Sequence, residues 1–244
     1  MRIWDLNSGY LNRQSLLGEH RELHGIVSIF LNNKKGYARH PETLRWVGYV
    51  WALKIRHQQL AAEMSLRGYQ EKSPVDLSGS RDIWPEIYID DPSQQLKILG
   101  EKYQTKEPGR IPLPANAQEI WRQHKYSIMA RDVNLYRKLG RDVSDMRPRQ
   151  DFAELTRLLT EKLRERPSAG GIRNALQHMW GYVSDIASAS KKNVDTWPLD
   201  RLLLEIQGHA MDNRAPYLLD STALSELMVW IVEDQHGFFQ PVSM

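Results

Sequence analysis

Apolar residues recur at helical spacing along nearly the whole of this 244-residue chain, and no segment shows the every-second-residue alternation of a half-buried strand. That periodicity constrains the fold to an all-α class. It predicts helices over 13–32, 42–68, 93–104, 116–130, 132–144, 149–165, 169–190, 197–213 and 220–235. Pro41 after His40 fits a helix start, and Gly68 a helix stop. Two stretches interrupt the pattern. Residues 70–92 carry Ser73-Pro74, Ser78-Gly79-Ser80, Trp84-Pro85 and Asp91-Pro92, a run of turn signals that reads as irregular surface chain. Residues 106–114 carry Pro108-Gly109, Pro112 and Pro114. The expected organisation is two helical domains, 1–110 and 111–244, joined at that Pro/Gly-rich segment.

Composition removes several functions. With no cysteine, the chain has no disulfide, no thiolate nucleophile and no Cys-ligated zinc. No run approaches the roughly 18 apolar residues that a membrane helix needs. The N-terminal MRIWDLNSGY lacks the apolar core of a secretory signal, so a cytoplasmic location is expected. Residues 1–72 hold 11 Lys and Arg against 6 Asp and Glu, a balance of +5 within a whole-chain charge of +3. A basic first third hints at phosphate contacts near the N-terminus.

On the first helix, Leu16, Leu23, Val27, Phe30 and Leu31 form an apolar stripe with His20 inside it. The opposite face collects Gln14, Ser15, Gly18, Arg21, Glu22, Gly25 and Ser28. Two glycines there weaken the helix, each by roughly 1 kcal/mol relative to alanine. They imply either close packing of another helix or close approach of a ligand to Arg21 and Glu22. On the second helix, Trp46, Val50, Leu53, Leu60 and Met64 make the stripe, with His57 in its middle as either a hydrogen-bonded core residue or a ligand. Arg45, Arg56 and Arg67 return to one face every 11 residues, spaced roughly 16 Å apart. Such a row either tracks a phosphate backbone or is a solvated face.

The segment Gln14-Ser15-Leu16-Leu17-Gly18-Glu19-His20-Arg21-Glu22-Leu23, behind the arm Arg2-Ile3-Trp4-Asp5-Leu6, resembles the signature of pyrimidine-dimer DNA glycosylases of the phage endonuclease V type. Gly36-Tyr37-Ala38-Arg39-His40-Pro41 and Leu66-Arg67-Gly68-Tyr69 look like bacterial members, so the resemblance spans about residues 1–72. It implies an N-terminal α-amine acting as nucleophile on the sugar C1′ of a damaged pyrimidine, here the amine of Met1. An α-amine ordinarily titrates at about 7.7–8.0, so a useful fraction is neutral at physiological pH. Glu22 matches the carboxylate that stabilises the imine and moves protons, and Arg21 an arginine that contacts DNA. Arg2, Gln14, Arg45 and Arg56 complete the expected DNA contacts. Three positions depart from the family pattern. Bulky Arg2 keeps Met1 in place, Ser15 stands where the family has His, and Gly25 where it has a second Arg.

In the second half, Trp121-Arg122-Gln123-His124-Lys125-Tyr126, Leu135-Tyr136-Arg137-Lys138-Leu139-Gly140-Arg141 and Asn174-Ala175-Leu176-Gln177-His178-Met179-Trp180 resemble the YbgA-type helical domain, over about 116–235. The resemblance confers little function. His124, Lys125, Tyr126, Arg137, Arg141, Asn174, Gln177 and His178 either line a pocket for a nucleobase or phosphate, or tie helices together. Gly170-Gly171 reads as a turn into a helix.

The expected function is a DNA repair glycosylase with abasic-site lyase activity on pyrimidine photoproducts in double-stranded DNA, using no metal and no organic cofactor. The alternatives are a non-catalytic nucleic-acid-binding module, or an enzyme of modified pyrimidines in RNA or as free bases. A membrane partner is not expected.

Overall fold

In the computed structural model, residues 1–75, 77, 83–147, 149–186 and 194–237 are described. Among them every regular element is helical and no strand forms, as the periodicity demands. The chain divides into two compact units, Met1–Leu113 and Pro114–Met244.

The first unit begins with an extended arm and a 3-10 turn, Ser8–Tyr10. Helix α1 (Arg13–Asn32) starts where the Asn12 carboxamide accepts the Ser15 amide, and stops at Asn33 in the left-handed conformation. Helix α2 (Pro41–Arg45) starts at His40, whose ring accepts the Glu42 amide. Helix α3 (Val50–Leu66) follows, and α4 (Pro92–Lys102) is capped by Asp91. The single helix expected over 42–68 is two helices. The apolar spacing runs on through Trp46 and Val50, but Gly48 sits at φ +87°, a left-handed step that ends α2 and lets α3 start afresh. Gly68, at φ +80°, stops α3 as expected. Between α3 and α4 the chain is irregular; the expected Ser78-Gly79-Ser80 turn lies outside the described residues. Trp84 from this stretch packs edge-on to Trp46 and Trp51, at 6.4 and 6.2 Å.

The core of this unit gathers Leu16, Leu23 and Ile26 from α1 and Leu53, Ile55 and Leu60 from α3. Ile26 and Ile29 take the place expected for Leu31, which is 61% exposed. Pro108-Gly109 turns the chain back onto its own N-terminus, where the Ile111 amide donates to the Gly9 carbonyl at 2.9 Å. A Cβ at Gly109 would lie 2.4 Å from the Tyr10 carbonyl oxygen, so only glycine fits there.

The second unit contains α5 (Ala117–Arg131), α6 (Val133–Asp145), α7 (Ala153–Leu163), α8 (Ala169–Ile186), α9 (Leu199–Asp212), α10 (Pro216–Leu219) and α11 (Ala223–Gly237). Helix α5 is its hub, packed by α6, α7, α8 and α11. Gly171 lies in the first turn of α8 rather than before it. A Cβ there would come within 2.0 Å of the Ala130 carbonyl oxygen, so the glycine permits close approach of α8 to α5. Arg131 and Glu226 form a buried pair at 3.0 Å, and Glu226 also accepts from the Trp230 indole at 3.0 Å. Positions 187–190 of the helix expected over 169–190 lie outside the described residues.

Candidate active site

Four side chains hold the N-terminal arm in place. The Trp4 amide donates to Glu19 Oε1 at 3.2 Å, and the Asp5 amide to Gln95 Oε1 at 2.9 Å. Arg45 pairs with Asp5 at 2.7 Å and donates to the Ile3 carbonyl at 3.2 Å. Arg56 makes a two-pronged pair with Glu19, at 2.7 and 2.9 Å, and reaches the Leu6 carbonyl at 2.9 Å. Glu19 on α1 and Arg56 on α3 thus clamp the arm between the two helices, in an environment where both charges are satisfied.

This corrects the expected row of DNA-facing arginines. The Arg45 side chain is 5% exposed and that of Arg56 3%, and both are engaged by carboxylates inside the unit. Asp5 and Glu42 overcome the burial of Arg45 and hold its pKa above the ordinary value. Arg67 pairs with Glu63 at 2.7 Å and donates to the Leu11 carbonyl at 2.7 Å. The 11-residue repeat marks an inner face whose partners come from residues distant in sequence. The expectation of Arg45 and Arg56 as phosphate contacts does not fit this arrangement.

Met1 and Glu22 are brought together. The Met1 amine lies 4.0 Å from Glu22 Oε1, and Glu22 Oε2 accepts the backbone amide of Arg2. One carboxylate therefore spans the first peptide unit, with an oxygen toward the amine and another on the next N–H. The Met1 side chain runs between Thr43, whose hydroxyl donates to Sδ at 3.5 Å, and Gly25, where a Cβ would stand 3.9 Å from the Met1 methyl. Arg2 stacks 4.1 Å over Trp4 and pairs with Asp90 at 2.7 Å. Gln14 and Arg21 are exposed. Among the described residues no atom lies within 4 Å of a Cβ placed at Gly18, so none of the described helices packs there and this face of α1 is open. Ser15, by contrast, is buried.

Lys102 is a neighbour the sequence did not single out. It lies close enough to Glu22 and Arg2 to feel both charges; desolvation first, then Lys106, hold its ammonium below the ordinary value, with Glu22 opposing. No periodicity joins α4 to the arm, so the sequence carried no signal for it. On the other side of Met1, Thr43 also borders a cleft of about 500 Å³ lined by Ile29, Phe30, Lys34, Lys35 and Val50.

Trp84 and Tyr103 are structural. Trp84 packs as described above, and the Tyr103 hydroxyl accepts the Asn12 amide at 2.9 Å. On the far side of α1, His20 and His24 meet His57 of α3 and Glu71 from the chain beyond it, with the four ligand atoms within 4.8 Å of one another. The His20-x-x-x-His24 spacing was visible in the sequence, but His57 and Glu71 are not periodic with it. Burial, then His20, pushes His57 down to about 4, and burial likewise lowers His24, so these imidazoles are neutral near pH 7.

In the second unit the expected polar set does not converge. His124 is buried and its Nδ1 donates to the Ile120 carbonyl at 2.9 Å. Arg137, Arg141 and His178 are exposed, and Gln177 donates to Asp195 at 2.8 Å. Lys125 lies 4.8 and 4.5 Å from the rings of Tyr126 and Tyr217, a cation–π contact that ties α5 to α10.

Two family models match the chain. Residues 1–77 match pyrimidine dimer DNA glycosylase, and residues 125–226 match a family described as a protein of unknown function (DUF1722). No curated protein and no solved structure matches it. The two matches fall on separate stretches of the chain, in the two-part arrangement that its motifs suggested.

Proposed function

We propose that this protein is a cytoplasmic DNA repair glycosylase with abasic-site lyase activity, acting on pyrimidine photoproducts in duplex DNA. The observation that carries the reading is the Met1 amine 4.0 Å from Glu22 Oε1, within the segment that matches the glycosylase family. The neutral amine attacks C1′; a C–N bond forms as the glycosidic bond breaks and the base departs with its electron pair. Loss of the amine proton and opening of the sugar ring give a cationic imine at C1′. Abstraction of a proton from C2′ then expels the 3′ phosphate by β-elimination. Glu22 balances the imine charge and carries these protons. Arg21 and Gln14 on the open face of α1, with Arg2 at the arm, contact the strand. Extrusion of the nucleotide costs a few kcal/mol, least at a distorted lesion, which contributes selectivity. The clamp of Glu19, Arg45 and Arg56 positions the amine by fixing the arm.

Borohydride trapping with the untagged chain and a duplex bearing one cyclobutane pyrimidine dimer tests this reading. The expected result is a covalent adduct mapping to Met1, lost when the amine is acetylated and strongly reduced in Glu22→Gln with duplex binding retained. An adduct on Lys102 would move the nucleophile to that amine. Lesion binding without an adduct, on this duplex or on one with an abasic site, would make the chain a non-catalytic module.

A further inference from the structure

We propose that His20, His24, His57 and Glu71 form a closed binding site for one divalent transition-metal ion of the zinc type, on the face of α1 away from Glu22. His24 Nε2 lies 3.4 Å from His20 Nε2 and 3.2 Å from His57 Nε2. Glu71 Oε2 lies against His20 Nε2 and 3.7 Å from His57 Nε2. Four ligands at zinc's usual metal–ligand distance of about 2.0–2.1 Å stand about 3.3–3.4 Å apart at the corners of a tetrahedron. The separations of 3.2, 3.4 and 3.7 Å lie either side of that edge, and all four atoms lie within 4.8 Å of one another.

The four atoms close into a ring rather than a line. A chain of hydrogen bonds would run donor to acceptor and leave its ends apart, whereas here His57 and Glu71, the ends, are also neighbours. Each imidazole presents the same nitrogen, Nε2, to a shared centre. Pairwise N–H···N bonds can satisfy these nitrogens only two at a time, whereas one cation at their centre engages all three lone pairs at once. Glu71 Oε2 is buried and faces the His20 and His57 ring nitrogens, where a ligand oxygen would stand. Three imidazoles and one carboxylate, with no thiolate in the chain, favour zinc, cobalt, nickel or copper(II) over magnesium or calcium.

The fold builds this set from three places. Residues four apart on α1 share a face, which stacks His20 and His24 one turn apart. His57 comes from α3, and Glu71 from the segment past the Gly68 stop. Four protein ligands leave no open position, so the site is structural: it ties the chain after α3 back to both helices. Two residues along a helix is about 200° around it, so the metal face lies nearly opposite Glu22. A bound ion there fixes the rotation of α1 and with it the direction of the Glu22 carboxylate.

The test uses the full chain, stripped with a chelator and titrated with Co²⁺, with visible absorption and metal analysis as readouts. One Co²⁺ per chain with intense tetrahedral bands, displaced by Zn²⁺, is expected. His24→Gln and His57→Gln should each weaken binding roughly 100-fold or more, beyond the 10–100-fold that loss of a supporting partner causes. His209→Gln, in the second unit, should bind as the parent does. Weak octahedral bands, no stoichiometric uptake by the parent chain, or unchanged affinity in His24→Gln would overturn the site. If a variant loses its helical circular dichroism, the Co²⁺ spectrum of the parent chain still decides.

Discussion

Gly18 and Gly25 sit inside α1 with almost nothing around them. Among the described residues, a Cβ at Gly18 meets no atom within 4 Å, and one at Gly25 meets only the Met1 methyl at 3.9 Å. Neither glycine is needed for packing, so each is a cost that the fold tolerates for the openness of this face. Gly18→Ala should stabilise the chain by about 0.5–1 kcal/mol, read as a raised urea midpoint, because it removes backbone freedom from the unfolded state without a clash. Gly18→Phe should leave the fold intact yet weaken lesion-duplex binding at least tenfold in fluorescence anisotropy. Equal affinity for parent and Gly18→Phe would mean that DNA does not approach α1 there. The face was legible in the sequence, because helical period alone groups Gly18, Arg21, Glu22 and Gly25. What period could not tell was which of the two uses of small residues applied, since that depends on whether a second helix arrives.

The arm and its two helices behave as one element. Arg56 holds Glu19 and the Leu6 carbonyl, and Glu19 in turn holds the Trp4 amide. Arg56→Met leaves a fully buried carboxylate without its cation, so a loss of about 3–5 kcal/mol is expected in urea unfolding. Arg21→Ala, exposed on the same α1 that carries Glu19, should change stability by less than about 0.5 kcal/mol. It should instead lower the slope of log affinity against log salt by about one, as for one lost phosphate contact. An unshifted midpoint in Arg56→Met would refute the anchoring account of the buried arginines. Sequence separation explains why these partners were hidden: Arg56 meets a carboxylate 37 positions away and Arg45 one 40 positions away, and neither distance is a helical repeat. The α2–α3 break was hidden for a different reason. Trp46, Val50 and Leu53 keep helical register across it, and only the backbone at Gly48 departs.

Across the whole molecule, the all-α class followed from period alone, while the fate of polar residues in the second unit did not. His124 sits between half-buried Arg122 and Lys125 on α5, yet it is 3% exposed and its Nδ1–H is committed to the carbonyl four residues earlier. Burial pushes this imidazole down to about 4 from an ordinary value of 6.5, with the Ile120 hydrogen bond opposing. Between those values the unfolded chain takes up a proton that the folded chain refuses, so more protons are bound in the unfolded state and stability falls as pH falls. The contribution is fully present above about pH 6.5 and declines toward pH 4. About 2.5 pH units at 1.36 kcal/mol each make it roughly 3 kcal/mol. Urea unfolding of the parent chain and of His124→Gln, each from pH 7 to pH 4, isolates this group, since every other titrating residue is common to both. The parent should lose roughly 3 kcal/mol more than the variant over that range, and its His124 ring signal in NMR should stay neutral down to about pH 4. Parallel stability curves, or a His124 ring that titrates near 6.5, would show that the folded second unit admits the proton and that α5 is not the sealed hub its packing describes.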